Sequence, residues 1–229
     1  MNVEVAAGIL LVIAPLWFNA TFTLLAKRFD YPDILRRPTE EILERFRAGG
    51  ASLILTWWAF MLSGFLFVGA AVLLSQALGF GGILPVAATI GVLAGLVQVL
   101  GLIRWIYLVP SLARSHADRD ATPTQLEATA AIFRAFHQYL GVGVGEHLGY
   151  LLTGVWSILV GIDIALGSPP LPDWLGWPGV VIGAGLAVSS AEFLGPNEER
   201  GWALAGAVVP VLYIAWSIWL LAMGIALIM

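Results

Sequence analysis

The chain has 229 residues, of which 59% are hydrophobic and 11% charged, and its mean hydropathy is +0.89. Soluble domains carry roughly 25% charged residues, and a soluble fold of this length has too little interior to bury so much apolar surface. The net charge is only −4, and cysteine is absent. This composition excludes a soluble enzyme, a nucleic-acid-binding protein, a disordered chain and any disulfide or thiolate metal site. It favours a helical membrane protein.

Six apolar segments are long enough to cross a bilayer as helices, which takes about 20 residues each. They are continuous apolar runs, unlike the alternating pattern of a membrane β-barrel. The predicted spans cover approximately residues 5–26, 51–74, 83–109, 140–166, 179–194 and 202–229. The sequence therefore predicts an all-α, polytopic transmembrane helical bundle of about six spans, with short cytoplasmic interfacial helices. Residues 1–229 form a single integral membrane domain in this interpretation.

The segment 37–46, after the first span, is predicted to be a short helix at the membrane surface. It begins with a proline and two acids, which suit the first turn of a helix. Ile42, Leu43 and Phe46 share one face of this helix. That face can pack on the protein or lie on the membrane, and the sequence leaves both open.

A second helix start precedes the fourth span. Thr122, Pro123 and Gln125 match a capping box with proline at the first helical position. No further proline occurs before Pro169, so an unbroken helix would measure about 66 Å. Because the hydrocarbon layer is only about 30 Å thick, this helix should bend or lie partly outside it. The glycines 141, 143 and 145 are the predicted place of the bend.

The basic residues determine the predicted orientation. All eleven lysines and arginines lie in or beside the odd-numbered loops: Lys27, Arg28, Arg36, Arg37, Arg45, Arg47, Arg104, Arg114, Arg119, Arg134 and Arg200. The positive-inside rule then puts those loops in the cytoplasm and both termini outside. The N-terminus lacks the basic region of a signal peptide, so the first segment should be retained as a span. We therefore predict a multi-pass protein of the cytoplasmic (inner) membrane.

Tryptophans occur near both ends of the predicted spans, as is typical of interfacial aromatic belts. The predicted outer belt contains Trp174 and Trp177. The predicted inner belt contains Trp57, Trp58, Trp105 and Trp202.

Two stretches of the sequence resemble signature segments of a known family. They are GLIRWIYLVPSLAR at 101–114 and FHQYLGVGVGEHLGYLLTG at 136–154, and the resemblance extends to the Arg-Arg-Pro segment at 36–38. The most specific piece is GEHLGY at 145–150. The family is one of uncharacterised bacterial integral membrane proteins, catalogued as a domain of unknown function. The resemblance implies a multi-span membrane fold and brings no activity, substrate or cofactor.

Ionisable and amide side chains at membrane depth mark the candidate site, because they are costly there. Counted from the cytoplasmic ends of their spans, most of them fall at a similar depth. The predicted pocket residues are Arg104, Glu146, His147, Tyr150, Glu192, Asn19 and Gln98. Arg104 should pair with Glu146 or Glu192, and His147 should face the interior. The alternative is a structural ion pair that holds the third, fourth and fifth helices together.

The candidate chemistries are limited by spacing. A haem needs two facing ligands, but His137 and His147 are ten residues apart, about 15 Å along one α-helix. A zinc hydrolase needs three protein ligands, and no HExxH pattern or equivalent is present. Helix-packing glycines recur every four residues at Gly141, Gly145 and Gly149. No cofactor and no metal is predicted, and a non-enzymatic role is favoured.

The sequence thus predicts a membrane protein that binds a small or lipid-like ligand in a cytoplasm-facing polar pocket, or that serves as a non-catalytic membrane subunit. A small-solute transporter and a membrane-embedded enzyme using Glu146 and His147 are the alternatives. Membrane lipids are the expected partners, with no nucleic acid. A small-molecule ligand and a second copy of the chain are left open.

Overall fold

The computed structural model describes residues 2–167, 170–198 and 200–229. Within them, six helices are long and apolar enough to cross a membrane, and there is no strand. The helices are α1 (Val3–Phe29), α2 (Thr39–Ala77), α3 (Leu84–His116), α4 (Pro123–Ala165), α5 (Asp173–Phe193) and α6 (Ala203–Ile228). Short 3₁₀ helices occupy Asp33–Arg36 and Gly195–Asn197 in two connections. The predicted all-α polytopic bundle is confirmed.

The six helices form a closed ring in which each packs against its neighbours in sequence and α6 returns to α1. Glycines let the backbones approach closely. A Cβ atom on Gly8 of α1 would lie 2.7 Å from the carbonyl oxygen of Gly224 in α6. This contact joins the beginning of α1 to the end of α6, as antiparallel packing requires. The loops 30–38, 117–122 and 194–202 therefore lie at one end of the bundle, which we call the basic end.

The helix predicted over 37–46 forms the first part of α2. Gly50 then leaves the helical conformation, with φ 56° and ψ −152°, and the span continues beyond it. Positive φ is readily available only to glycine, so the sequence permits the break at this position. Ile42, Leu43 and Phe46 are all buried against the bundle. Their shared face thus packs on the protein.

The start of α4 follows its predicted capping box. Thr122 Oγ1 accepts a hydrogen bond from the Gln125 backbone N–H at 3.3 Å, and Gln125 Oε1 accepts one from the Thr122 backbone N–H at 2.8 Å. The α-helical hydrogen bonding ends at Phe136, and His137–Leu148 is a π-helix of 12 residues. The α-helix resumes over Gly149–Ala165. The glycines 141, 143 and 145, where a bend was predicted, thus lie within a widened helix, and the bend itself stays a prediction.

The predicted inner aromatic belt is wrong for two of its members. Trp57 and Trp105 are fully buried, and their rings stack at a centroid distance of 4.6 Å with 6° between their planes. Phe29 meets both rings edge-on, at 6.1 Å and 5.6 Å. Indole rings that stack on each other and on phenylalanine gain more contact inside the bundle than at its surface. Trp58, which follows Trp57 in the chain, is 47% exposed and points away from the core.

Candidate functional site

The π-helix brings His137 and Glu146 to the same face of α4. Its i→i+5 hydrogen bonds give roughly 4.4 residues per turn, so nine residues make about two full turns. In an α-helix, nine residues make about two and a half turns, and the two side chains would point in opposite directions. The face that they share is turned toward Arg104 of α3. Arg104 Nη2 lies 3.4 Å from His137 Nδ1, and Glu146 is close enough to Arg104 for their charges to interact.

Glycines on both helices make this approach possible. A Cβ atom on Gly101 of α3 would lie 2.6 Å from the Cα atom of Gly145 in α4. A Cβ atom on Gly141 would lie 2.5 Å from Arg104 Nη2. The glycines that were predicted to serve helix packing therefore also accommodate the buried guanidinium group.

The predicted ion pair of Arg104 is not formed. Arg104 is 6% exposed, and within the described residues no carboxylate oxygen lies within 4 Å of its guanidinium nitrogens. Its Nη1 atom donates to the carbonyl oxygen of Gly101, one turn earlier on the same helix. Its guanidinium group also lies 5.3 Å from the centre of the Trp105 ring. The group thus turns toward its own helix, because the backbone of α4 at Gly141 occupies the space beside it.

Four of the predicted residues meet at a cleft between the π-helix and the last turn of α5. The cleft has a volume of about 110 Å³. It is lined by Gln138, Val142, Gly143, Glu146, His147, Tyr150, Ser190, Glu192, Phe193 and Leu194. The last four belong to α5 and the chain just after it, at the basic end. Glu146, His147, Tyr150 and Glu192 are therefore brought together, although they come from two helices.

His147 is fixed by one hydrogen bond that also determines where its proton lies. Its Nδ1 atom is 2.8 Å from the carbonyl oxygen of Ser190. A carbonyl oxygen only accepts, so Nδ1 carries the hydrogen and Nε2 of the neutral ring is an acceptor. This bond ties α4 to the end of α5. Tyr150 lies edge-on to the ring of Tyr213, at 5.5 Å.

Glu192 is a nearly buried carboxylate at the wall of the cleft. The residue is 8% exposed, and within the part of the chain that the structure describes it has no ion-pair partner within 4 Å. Its side chain lies against Gly206 of α6, where a Cβ atom would be 2.8 Å from Oε1. Arg36, in the first loop, is near enough for its charge to act on this carboxylate. The carboxylate therefore feels a positive charge without receiving a hydrogen bond from it.

Asn19 and Gln98 lie outside the lining of the cleft. Asn19 Nδ2 donates to Ser217 Oγ at 3.0 Å and to the carbonyl oxygen of Pro15 at 2.7 Å. Gln98 Nε2 donates to Thr153 Oγ1 at 3.2 Å. These bonds join α1 to α6 and α3 to α4. Each amide thus donates one hydrogen bond to a neighbouring helix.

Sequence reasoning missed Tyr31, which lies in the first loop beside this site. Burial raises the pKa of its phenol, and the negative charge of Glu146 raises that pKa further. Its ring meets Trp57 edge-on at 5.1 Å. A single tyrosine before a proline carries no periodic signal, so nothing in the sequence separates it from an ordinary loop residue.

A chain of hydrogen bonds leads from the level of the cleft toward the middle of the bundle and ends there. Ser157 Oγ donates to the carbonyl oxygen of Thr153 at 2.8 Å, and Trp216 Nε1 donates to Ser157 Oγ at 3.0 Å. Beyond it, the rings of Phe67, Trp156 and Trp219 pack in the core. This chain of hydrogen bonds thus ends among packed aromatic rings.

The fold is that of a multi-pass helical membrane protein with a polar cleft between α4 and α5 at its basic end. Residues 6–224 match the model of the family described as Domain of unknown function (DUF4386), and the chain belongs to that family. This confirms the resemblance found in the sequence. No curated protein and no solved structure matches the chain.

Proposed function

We propose that this membrane protein binds a small or lipid-like ligand in the cleft between α4 and α5. The observation that carries the proposal is the meeting of Glu146, His147, Tyr150 and Glu192 at one cavity. Polar side chains at membrane depth are costly unless they serve a partner or one another. His147 is satisfied by Ser190, whereas the carboxylate of Glu192 has no ion-pair partner within the described residues. A ligand with a hydrogen-bond donor or a positive charge would give that carboxylate a partner.

We propose further that the basic end faces the cytoplasm, that both termini lie outside, and that the protein resides in the inner membrane. The clustering of the basic residues at one end supports this orientation. Under it, the cleft opens to the cytoplasmic side of the bilayer.

The orientation is tested with single cysteines, since the chain has none of its own. In intact cells, Gly81→Cys should react with an impermeant thiol reagent and Ala121→Cys should not. A Cβ atom at Gly81 has nothing within 4 Å, so this substitution is sterically harmless. Both cysteines should react once the cells are opened. Labelling of Ala121→Cys alone in intact cells would overturn the orientation.

The transport alternative has less support. A transported solute needs polar groups along its whole route. Here the hydrogen-bond chain ends at the indole of Trp216, and the packed rings of Phe67, Trp156 and Trp219 lie beyond it. A cleft at one end of the bundle is suited to binding.

Filling the cleft tests the binding function. Gly143 lines the cleft, and a Cβ atom there would meet only the carbonyl oxygen of Gln138, at an ordinary 3.6 Å. Gly143→Met should therefore fold and occupy part of the cavity with its flexible side chain. Native mass spectrometry of the parent should show a bound small molecule or lipid that this variant loses.

Gly81→Met is the matched control, because it adds the same side chain at an open position far from the cleft. It should keep the bound species of the parent. The same bound species on all three proteins would contradict binding in this cleft.

A further inference from the structure

We propose that the ligand of this cleft presents a primary ammonium group on a short two-carbon arm, an inference that rests on the binding function proposed above. The argument comes from the hydrogen-bonding character of the lining, from its charge and from its size.

The lining offers acceptors where a ligand would sit. Glu146 and Glu192 contribute carboxylates. His147 lies beside them and commits its Nδ1 hydrogen to the carbonyl oxygen of Ser190. A primary ammonium group carries three N–H donors and no acceptor. A primary ammonium group therefore supplies the kind of hydrogen bond that the lining can accept.

The charge of the cleft favours a cation over an anion. Glu192 is 8% exposed, and a buried carboxylate without a hydrogen-bonded partner is costly. Arg104 and Arg36 influence the two carboxylates from outside the lining. Arg104 directs its nitrogens at Gly101 and His137, so it provides no hydrogen bond to either acid. An ammonium group in the cleft would provide those bonds, whereas an ionised phosphate or carboxylate has no hydrogen to donate to the two acids.

The size of the cleft selects among cations. A volume of about 110 Å³ is well below the roughly 300–1,000 Å³ of pockets for drug-sized ligands, so the cleft suits a group of only a few heavy atoms. A two-carbon ammonium with one oxygen has four heavy atoms. A trimethylammonium group has no N–H to donate. A divalent metal ion is not favoured, because within the described residues no three His, Cys, Asp or Glu side chains converge to hold one.

Two kinds of molecule carry a primary ammonium group on two carbons. They are an ethanolamine lipid, in its headgroup, and a free small amine such as ethanolamine. Both present the same ammonium and the same two carbons. The oxygen that follows would lie beside Tyr150 or Gln138, whose side chains can each donate a hydrogen bond.

The test measures binding to the purified full-length protein by native mass spectrometry. The probes are phosphatidylethanolamine, phosphatidylcholine, phosphatidylglycerol, free ethanolamine and Mg²⁺. We expect phosphatidylethanolamine or free ethanolamine to bind at least about 10-fold more tightly than phosphatidylcholine, because a charge-assisted hydrogen bond is lost with each methylated donor. Competition between the two amines distinguishes the lipid from the free source, and either result supports the proposal.

Glu192→Gln should weaken binding of the amine at least about 10-fold, because it removes the charge and keeps the shape. Glu198→Gln is the matched control, since Glu198 is exposed in the following loop and lies outside the lining. It should bind as the parent does. Glu146→Gln provides the same comparison if Glu192→Gln does not fold.

The outcomes separate this inference from the proposed function. If a phosphatidylcholine, an anionic lipid or Mg²⁺ binds best and Gly143→Met abolishes that binding, the cleft is a binding site and the ammonium inference is wrong. If Gly143→Met changes the binding of no probe, both proposals fail. Equal binding of the amine to the parent and to both glutamine variants would also overturn the inference.

Discussion

Trp105→Ala is expected to cost about 3 kcal/mol of the free energy of unfolding, the largest effect of any single truncation considered for this protein. The side chain is fully buried, and its ring stacks on Trp57 and meets Phe29, Phe46 and Phe133. These aromatic residues join α1, α2, α3 and α4 at the basic end. Removing the indole leaves a cavity that rings fixed by several neighbours cannot close. Arg104 also loses the ring beside its guanidinium group.

The measurement is thermal unfolding in detergent, supported by equilibrium unfolding where it is reversible. Trp58→Ala is the matched control. Trp58 is 47% exposed, so this substitution removes the same atoms without leaving a cavity in the core. It should change stability little. Equal losses in the two variants would contradict the buried aromatic cluster.

Gly183→Ala is expected to destabilise the bundle by about 1–3 kcal/mol through overpacking at the crossing of α4 and α5. A Cβ atom on Gly183 would lie 2.5 Å from the carbonyl oxygen of Gly154 and 2.9 Å from atoms of Ile158. The closest contact is with backbone, which cannot rotate away. The two helices must separate, and they are the two that form the cleft. Ligand binding should therefore weaken together with stability.

Gly69→Ala is the control for this substitution. Its Cβ atom would meet only the Leu10 Cδ1 methyl group, at 3.0 Å, and that flexible side chain can move. Since alanine is a better helix former than glycine by up to about 1 kcal/mol, the control should be neutral or slightly stabilised. Unfolding temperatures of the two variants in the same detergent give the comparison. A neutral Gly183→Ala would show that the helices do not approach as closely as described.

Features with a local or compositional cause could be predicted from the sequence. The capping box at Thr122 depends on residues within one turn, and the number of spans follows from long apolar runs. The residues of the cleft were found in part because depth along a span can be counted from its basic end. Glu146, His147 and Glu192 share a depth, and the structure brings them together.

The direction in which a side chain points around its helix could not be predicted. Asn19 has the predicted depth and Gln98 lies one to two turns deeper, but each makes a hydrogen bond to a neighbouring helix away from the cleft. The π-helix is the larger reason why side-chain directions could not be predicted. It changes the angle around the helix axis between successive residues over the whole segment His137–Leu148. Its hydrogen-bond pattern is accompanied by a close contact of Gly145 with Gly101, which is 44 residues away in sequence. No local pattern contains that information.

The hydrogen-bond chain that ends at Trp216 has a consequence for the energetics of the cell. Proton movement along such a chain requires each group to accept a proton on one side and release one on the other. An indole N–H donates but does not accept, so the bond from Trp216 to Ser157 cannot take part. Along the part of the bundle that the structure describes, this bond interrupts the chain. A membrane could therefore hold many copies of such a protein without losing a proton gradient through this chain.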